Sequence, residues 1–403
     1  MRWSICGPSL TAVALCSPLL AACLGTVALA QEEPDAVVVL NEREAQLDAK
    51  GGAHIKLHRV IEVRSEAGSR RFRETHVLYD PQLATAELVE LGRLTRGPAG
   101  EWQREAFDAQ TAHRSLPAPA GLRELEIRLP LCQPGQRVAY AVLLTQQPPF
   151  GHHFSSVLLL GDEVPVDESR LLVAAPKGRA VLWRTWGCNL QPAIEQAAAI
   201  TRYLWVRNER VEPVGPAPRL FVSTTPRWKP VRDWLAGRFL PVLRPTAAVR
   251  AQMRALCAPG DSPPQALDKL LRFVREQIME PEKALGPSPF QPQSPDETLR
   301  TRVGDCKAKV ALLASMLQVQ AIGCTPALLD LASGVPLDEQ LPSPYVFSHA
   351  CLGVHLGGSM VWVDPTTSIP VYHPSEGFRL VGLILDPQRR PLQRLGEVLT
   401  TYP

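Results

Sequence analysis

Val303-Gly304-Asp305-Cys306-Lys307-Ala308-Lys309-Val310-Ala311-Leu312-Leu313 is the stretch on which the reading of this chain turns. Gly304 and Asp305 stand where a loop becomes a helix. Beyond them Val310, Leu313, Ala314 and Leu317 recur at helical spacing, Leu312 and Met316 widen the apolar stripe, and Gly323 is the expected terminator. Cys306 therefore opens a helix whose body is buried. The first turn of a helix has N–H groups without intrahelical partners and the positive end of the macrodipole. A thiol placed there is expected to lose its proton more readily, and the thiolate is the nucleophile. Most cysteines on helices only fill space, so the assignment depends on what else the chain brings to the sulfur.

A thiol nucleophile needs a base, and the base needs a group that orients it. Downstream, Ser348-His349-Ala350-Cys351-Leu352-Gly353-Val354-His355-Leu356 and Ser359-Met360-Val361-Trp362-Val363-Asp364 flank Gly357-Gly358. Two such runs around a Gly-Gly pair read as a β-hairpin. Centring the turn on the glycines sets Leu356 opposite Ser359, His355 opposite Met360, Gly353 opposite Trp362 and Cys351 opposite Asp364. His349 then shares a face with Asp364, diagonally across the ladder at roughly 7–8 Å between backbones, within reach of an imidazole–carboxylate hydrogen bond. His355 has the same parity but sits further along. The order Cys306, His349, Asp364 is that of papain-like thiol chemistry.

Working outward, residues 37–207 are mostly strand-like. Ile55 to Val63, His76 to Tyr79, Arg123 to Pro130, Arg137 to Thr145, Ser156 to Leu160, Arg170 to Ala174 and Tyr203 to Val206 carry the pattern. This predicts an all-β, sandwich-like domain. A Pro-rich connection follows over 213–226, and helical structure begins at Trp228, Val231, Trp234 and Leu235. Ser262-Pro263-Pro264-Gln265 and Ser294-Pro295-Asp296-Glu297 both read as capping boxes opening helices, with a Pro-rich loop over 281–295 as a wall of the substrate groove. The adjacent pair His152-His153 reads as loop surface. His54 and His58, four apart in a strand, do not converge as a helical pair would, so neither pair is taken as metal-ligating. No CxxC spacing occurs to suggest zinc or thioredoxin-like chemistry.

The 403 residues, 21% charged with a net charge of +3, accommodate two ordinary cores. So small a charge, with no basic stripe among aromatics, gives no case for nucleic-acid binding. The N-terminus reads as an export leader: an apolar run from Leu10 to Leu29 ends in Ala28-Leu29-Ala30 before Gln31. Leu20-Ala21-Ala22-Cys23 is an alternative lipobox. No later stretch is apolar enough to span a bilayer, so no transmembrane anchor is expected after processing. Three of the nine cysteines (Cys6, Cys16, Cys23) lie in the leader. Pairing among Cys132, Cys188, Cys257, Cys306, Cys324 and Cys351 stays open; Cys324 and Cys351 are read as small core fillers, Cys351 beside the proposed site.

On these residues the chain resembles the bacterial transglutaminase-like superfamily, in the branch with an N-terminal DUF3857 domain. The resemblance rests on Ser294-Pro295-Asp296-Glu297-Thr298-Leu299, Val303 to Lys309, Ala321-Ile322-Gly323, Ser348-His349-Ala350 and Trp362-Val363-Asp364-Pro365-Thr366. Upstream it takes in Val222-Ser223-Thr224 and the strand pair Leu125-Glu126-Ile127 with Arg137-Val138-Ala139-Tyr140. Ala308 departs from the family's usual Asp, and Ile278-Met279-Glu280 from its common Ile-Arg-Tyr. The resemblance implies an α+β protein: an N-terminal β-sandwich-like domain, then a papain-like/transglutaminase-like α+β domain. It divides the chain into a signal peptide (1–30), a DUF3857-like domain (31–215), a helical connector (216–260), a transglutaminase-like domain (261–372) and a tail packing on it (373–403). Cys306 looks like the nucleophile, His349 the base and Asp364 the orienting carboxylate, with Gln277 a candidate oxyanion-hole donor. The implied activity is acyl transfer at amide bonds of peptides or proteins, including cell-wall peptides, outside the cytoplasm and with no cofactor or metal. The competing expectation is a catalytically silent envelope binding or scaffold protein that keeps the triad as a relic.

Overall fold

The computed structural model describes residues 33–108, 110–115, 122–148, 150–214, 217–281, 290–366, 380–396 and 398–399. The stretch expected to be an export leader, with Cys6, Cys16 and the Cys23 alternative, lies outside the described residues, as does most of the Pro-rich loop. Described residues form a mixed α+β protein, with a sheet-rich N-terminal domain and a mixed C-terminal one.

The N-terminal domain contains β1 (Ala36–Leu47), β2 (Ala53–Val63), a short helix α1 (Glu66–Arg71), β3 (Glu74–Tyr79) and β4 (Ala84–Arg96). It continues through β5 (Trp102–Ala106), β6 (Gln110–Ser115), β7 (Arg123–Arg128), β8 (Arg137–Gln146) and β9 (Ser155–Leu159). The last strands are β10 (Ser169–Pro176), β11 (Leu182–Trp186), β12 (Ala193–Gln196), β13 (Ile200–Arg207) and β14 (Arg219–Ser223). Eight strands make one sheet in the order β12-β13-β10-β1-β2-β8-β4-β5. Strand alternation explains its two faces. Ala53, Ile55, Ile61 and Val63 of β2 and Val138, Tyr140 and Val142 of β8 are buried on one side, while on the other Lys56 and Glu62 hold ion pairs and His58 contacts Glu42. Two three-stranded sheets, β3-β7-β6 and β11-β14-β9, cover the apolar face, each over its own core, and Leu57 and Leu144 pack against both cores.

β14 falls inside the stretch 213–226 that reads as a Pro-rich connection. It is paired on both sides, with β11 and β9, and all five of its residues are buried. A strand buried on both faces shows no period-two alternation, and the flanking prolines mask it.

The C-terminal domain begins with α2 (Trp228–Phe239), α3 (Ala247–Leu256), α4 (Pro263–Gln277), α5 (Pro295–Thr301) and α6 (Cys306–Val319). These pack on a six-stranded sheet, β19-β18-β15-β16-β17-β20. Its strands are β15 (Cys324–Leu329), β16 (His349–Leu356), β17 (Ser359–Val363), β18 (Val381–Ile384), β19 (Leu392–Arg394) and β20 (Val398–Leu399). The tail thus does more than pack on the domain: it supplies three of the six strands. Among the described residues no helix is long and apolar enough to cross a membrane.

Local chemistry sets the ends of these helices. Gln265 Oε1 accepts the Ser262 N–H at 2.9 Å, as a capping box requires. At Ser294 only half of the expected box forms: Ser294 Oγ accepts the Glu297 N–H at 3.2 Å, but the Glu297 carboxylate turns outward to Arg300. Helix α6 is the spine of the domain, and every residue from Val310 to Leu317 is 0% exposed. Such a helix is apolar around its circumference because it is covered on all sides. Past its last residue, Val319, the terminator is Ala321 rather than the expected Gly323. Ala321 takes φ 55°, and the Ile322 N–H reaches back to Leu317 O at 3.0 Å, the Schellman arrangement that glycine usually serves.

Candidate active site

Three elements converge on the sulfur. Asp305 caps α6 by accepting the Ala308 N–H at 2.9 Å, which makes Cys306 the first residue of the helix. The cysteine is partly exposed, while the helix behind it is sealed in the core. The β16–β17 hairpin has the register expected from its glycines: Leu356 pairs with Ser359, His355 with Met360 and Gly353 with Trp362. Gly357 and Gly358 take φ of 55° and 86°, the two left-handed positions that a two-residue hairpin turn needs. Gly353 is required for another reason. A Cβ there would stand 2.5 Å from Met360 Sδ and about as close as 3.0 Å to the Trp362 ring.

On that hairpin His349 Nε2 lies 2.8 Å from Asp364 Oδ2. Its ring also shares a hydrogen bond with the Cys306 side chain, for which Nδ1 is the nitrogen left. The imidazole is 5% exposed and the carboxylate 1%. Burial alone pulls the imidazole pKa down, but the hydrogen bonds from Asp364 and Cys306 and their charges outweigh it and push His349 up to about 10. Asp364 shows the converse balance. Burial raises its pKa, and the His349 hydrogen bond and charge, with two bonds from Thr366, bring it below the usual carboxylate range.

Thr366 holds the far side of the carboxylate, a role not among those expected from the sequence. Its N–H and Oγ1 donate to Asp364 Oδ1 at 2.9 and 2.8 Å, which leaves Oδ2 aimed at the histidine. A threonine two residues after an aspartate is the local signal for such a turn. Lys309 lies one helical turn beyond Cys306, where a lysine on a helix surface is normally solvated. Here it is 0% exposed, and its Nζ pairs with Glu280 Oε1 at 3.2 Å. Burial lowers its pKa, offset by Glu280 and then by Asp364. Lys309 thereby fastens the segment after α4 to the cysteine helix. Lys309→Ala is expected to lower stability by about 2–4 kcal/mol, since it removes one partner of a largely desolvated pair and the packing of its stem. A shift in the urea midpoint measures this.

Gln277 is exposed at the end of α4. Two residues on, Met279 bridges Val303, and the Gly304 N–H donates to Met279 O at 3.0 Å. The end of α4 therefore lies against the loop that presents Cys306. His355 is exposed, with Arg389 Nη2 3.3 Å from its ring, so it belongs elsewhere. Cys351 is completely buried beside the triad; burial first, then Asp364 and Cys306, raise its thiol well above the ordinary value. Cys324 is partly buried against the core, its Sγ 3.7 Å from Ala314 O. All six described cysteines are free. Among the described residues no three His, Cys, Asp or Glu side chains are grouped to hold a metal. His58 contacts Glu42 at 3.0 Å and His54 contacts Thr145 at 3.3 Å.

The sheet-rich domain supports the loop leading into β16. Arg219 Nη1 donates to Ser333 O at 2.5 Å, Ser223 Oγ to Pro342 O at 3.0 Å and Ser155 Oγ to Ser343 Oγ at 3.0 Å. Gln146 Nε2 reaches the Tyr345 hydroxyl at 2.8 Å. The histidine strand is thus held from both domains.

Residues 49–210 match DUF3857, a domain of unknown function with a solved structure. The matched region opens after β1 and closes before β14. A candidate protease from Parabacteroides distasonis superposes with a TM-score of 0.70 at 15% identity, covering 91% of this chain and 72% of that one. At that identity the likeness shows the fold. A candidate cysteine protease from Cytophaga hutchinsonii covers 86% of each chain at 12% identity, with a TM-score of 0.27 that carries no argument. No curated protein matches the chain.

Proposed function

We propose that this chain is a thiol-dependent acyl-transfer enzyme of transglutaminase-like type, acting on amide bonds of peptides or proteins. The observation that carries the reading is the continuous line from Cys306 through the buried His349 ring to Asp364, with Nε2 and Oδ2 2.8 Å apart. A histidine that is buried, charged and hydrogen-bonded on both sides is a costly arrangement for a merely structural residue.

In the proposed cycle the Cys306 thiolate attacks the carbonyl carbon of the scissile amide. The oxyanion is held by the Cys306 N–H, an orphan donor of the first helical turn, with Gln277 as the candidate second donor. His349 passes its proton to the departing amine nitrogen, the C–N bond breaks and a thioester remains. Water then attacks the thioester, His349 takes its proton, and the thiolate leaves to give a carboxylic acid. An amine in place of water gives a new amide, the transglutaminase outcome. Asp364 keeps the ring in position and balances its charge. No step of this cycle calls for a metal or cofactor. Substrates on this reading include cell-wall peptides met after export through residues 1–30, in the periplasm or outside the cell, or at the outer membrane if Cys23 is lipidated.

The experiment is cleavage of a peptide library by the wild-type chain and by Cys306→Ala, with and without an added primary amine. Cleavage by the wild type alone supports hydrolysis, and amine incorporation supports transamidation. Equal activity of both proteins excludes the thiol mechanism.

A further inference from the structure

A second concave site, sharing no residue with the triad, lies on the sheet-rich domain. Three turns meet there, at 48–52, 151–153 and 176–179, around a cavity of about 440 Å³ lined by His152, His153, Lys177, Arg179 and Thr224, among others. No lining residue is acidic. The turns are locked together. Arg179 Nη1 donates to His152 O and Nη2 to Ala49 O, both at 2.7 Å. Gly51, at φ 93°, packs so closely that a Cβ would stand 2.4 Å from the His152 carbonyl. His152 Nδ1 lies 2.9 Å from Lys50 O, and the His153 ring stacks on buried Phe150 with centroids 6.0 Å apart.

These contacts fix the Arg179 guanidinium and the His152-His153 turn in place without neutralising the guanidinium. Backbone carbonyls orient the Arg179 guanidinium but carry no net charge to oppose it, and its fork keeps further N–H donors. The one carboxylate in the three turns, Asp48, is turned onto its own loop, where Oδ1 accepts the Lys50 and Gly52 N–H groups at 2.7 and 2.9 Å. Burial, then Arg179 and His152, push the His153 imidazole below its ordinary pKa, as expected where like charges are gathered with no anion between them.

We propose that this cavity binds an oxyanion, the carboxylate or phosphate group of a ligand. A guanidinium held by two carbonyls, with Lys177, His152 and His153 in the same lining and no carboxylate among them, suits that chemistry, and its fork pairs with either group. The proposal is independent of the thiol mechanism. Its test is calorimetric titration of the full chain, in low-chloride buffer, with inorganic phosphate and separately with citrate. The same titrations are run on Lys177→Glu, a change on an exposed turn that leaves the fold intact by circular dichroism. Saturable binding of either anion, weakened at least tenfold by the substitution and by added salt, is the expected result. The tighter of the two assigns the phosphate or carboxylate source. Absence of saturable binding for both anions, or unchanged affinity in Lys177→Glu, overturns the proposal.

Discussion

Cys306→Ala is expected to lower cleavage of a responsive peptide by about 10⁴-fold or more, in line with loss of a nucleophile from a triad that acts as a unit. The fold should survive unchanged. Cys306 is the first residue of α6 and only partly buried, alanine is the best helix former, and the cap at Asp305 uses the Ala308 N–H rather than the sulfur. Activity and stability are therefore separable in this variant. An inactive protein with an unchanged urea midpoint is the predicted outcome, read by peptide turnover and equilibrium denaturation on one preparation. Cys306→Ser should be nearly as inactive, because His349 would face a hydroxyl that does not ionise in the working range.

Asp364→Asn should lower turnover by about 10³–10⁴-fold with little change in shape. An asparagine can keep the two Thr366 bonds on its carbonyl oxygen, but its NH₂ then points at the His349 N–H, donor against donor. The ring loses both its orientation and its counter-charge. The same substitution should alter the pH dependence of stability. The folded pKa of His349 is raised from 6.5 to about 10, so the stabilisation it carries is complete below 6.5 and drains away as pH climbs through about 10. Asp364 is lowered from 3.8, so its share is present above that value and lost as the solution is acidified through its folded pKa. The wild type should accordingly be most stable between about pH 4 and 6.5 as far as this pair is concerned, and should weaken from pH 7 to 10. Asp364→Asn should flatten that alkaline decline. Urea midpoints taken across the range decide it, and parallel curves for the two proteins would mean that the histidine is not held in its charged form.

What the sequence made legible follows the strength of each local signal. The α6 stripe, its Asp305 cap and the Gly357-Gly358 turn are short-range features, and the hairpin register that brings His349 to Asp364 follows from counting residues outward from the turn. Less legible were features fixed by tertiary contact. Lys309 reads as a surface residue until Glu280 is brought across to it. β14 is hidden because both its faces are covered, and Ala321 stands where glycine would be expected because the Ile322-to-Leu317 bond holds it there. The strands of the tail are so short, with three residues in β19 and two in β20, that no periodicity exists to be counted. The support given to the loop before β16 by Arg219, Ser223 and Ser155 joins residues more than a hundred positions apart, which no local pattern records.

The most direct measurement of the central claim is site-resolved alkylation by iodoacetamide at pH 6, followed by mass spectrometry of every cysteine in the wild type and in His349→Gln. Glutamine retains an amide able to meet Asp364 but carries no positive charge toward the sulfur. The other thiols provide an internal comparison, because burial raises Cys132 to about 11 and Cys324 to about 12 and also lifts Cys188 and Cys257. Cys306 should be modified first, at a rate that falls at least tenfold when His349 is replaced. If Cys306 reacts no faster than those thiols, or equally fast without the histidine, sulfur and imidazole do not act as a charged pair and the enzymatic account fails.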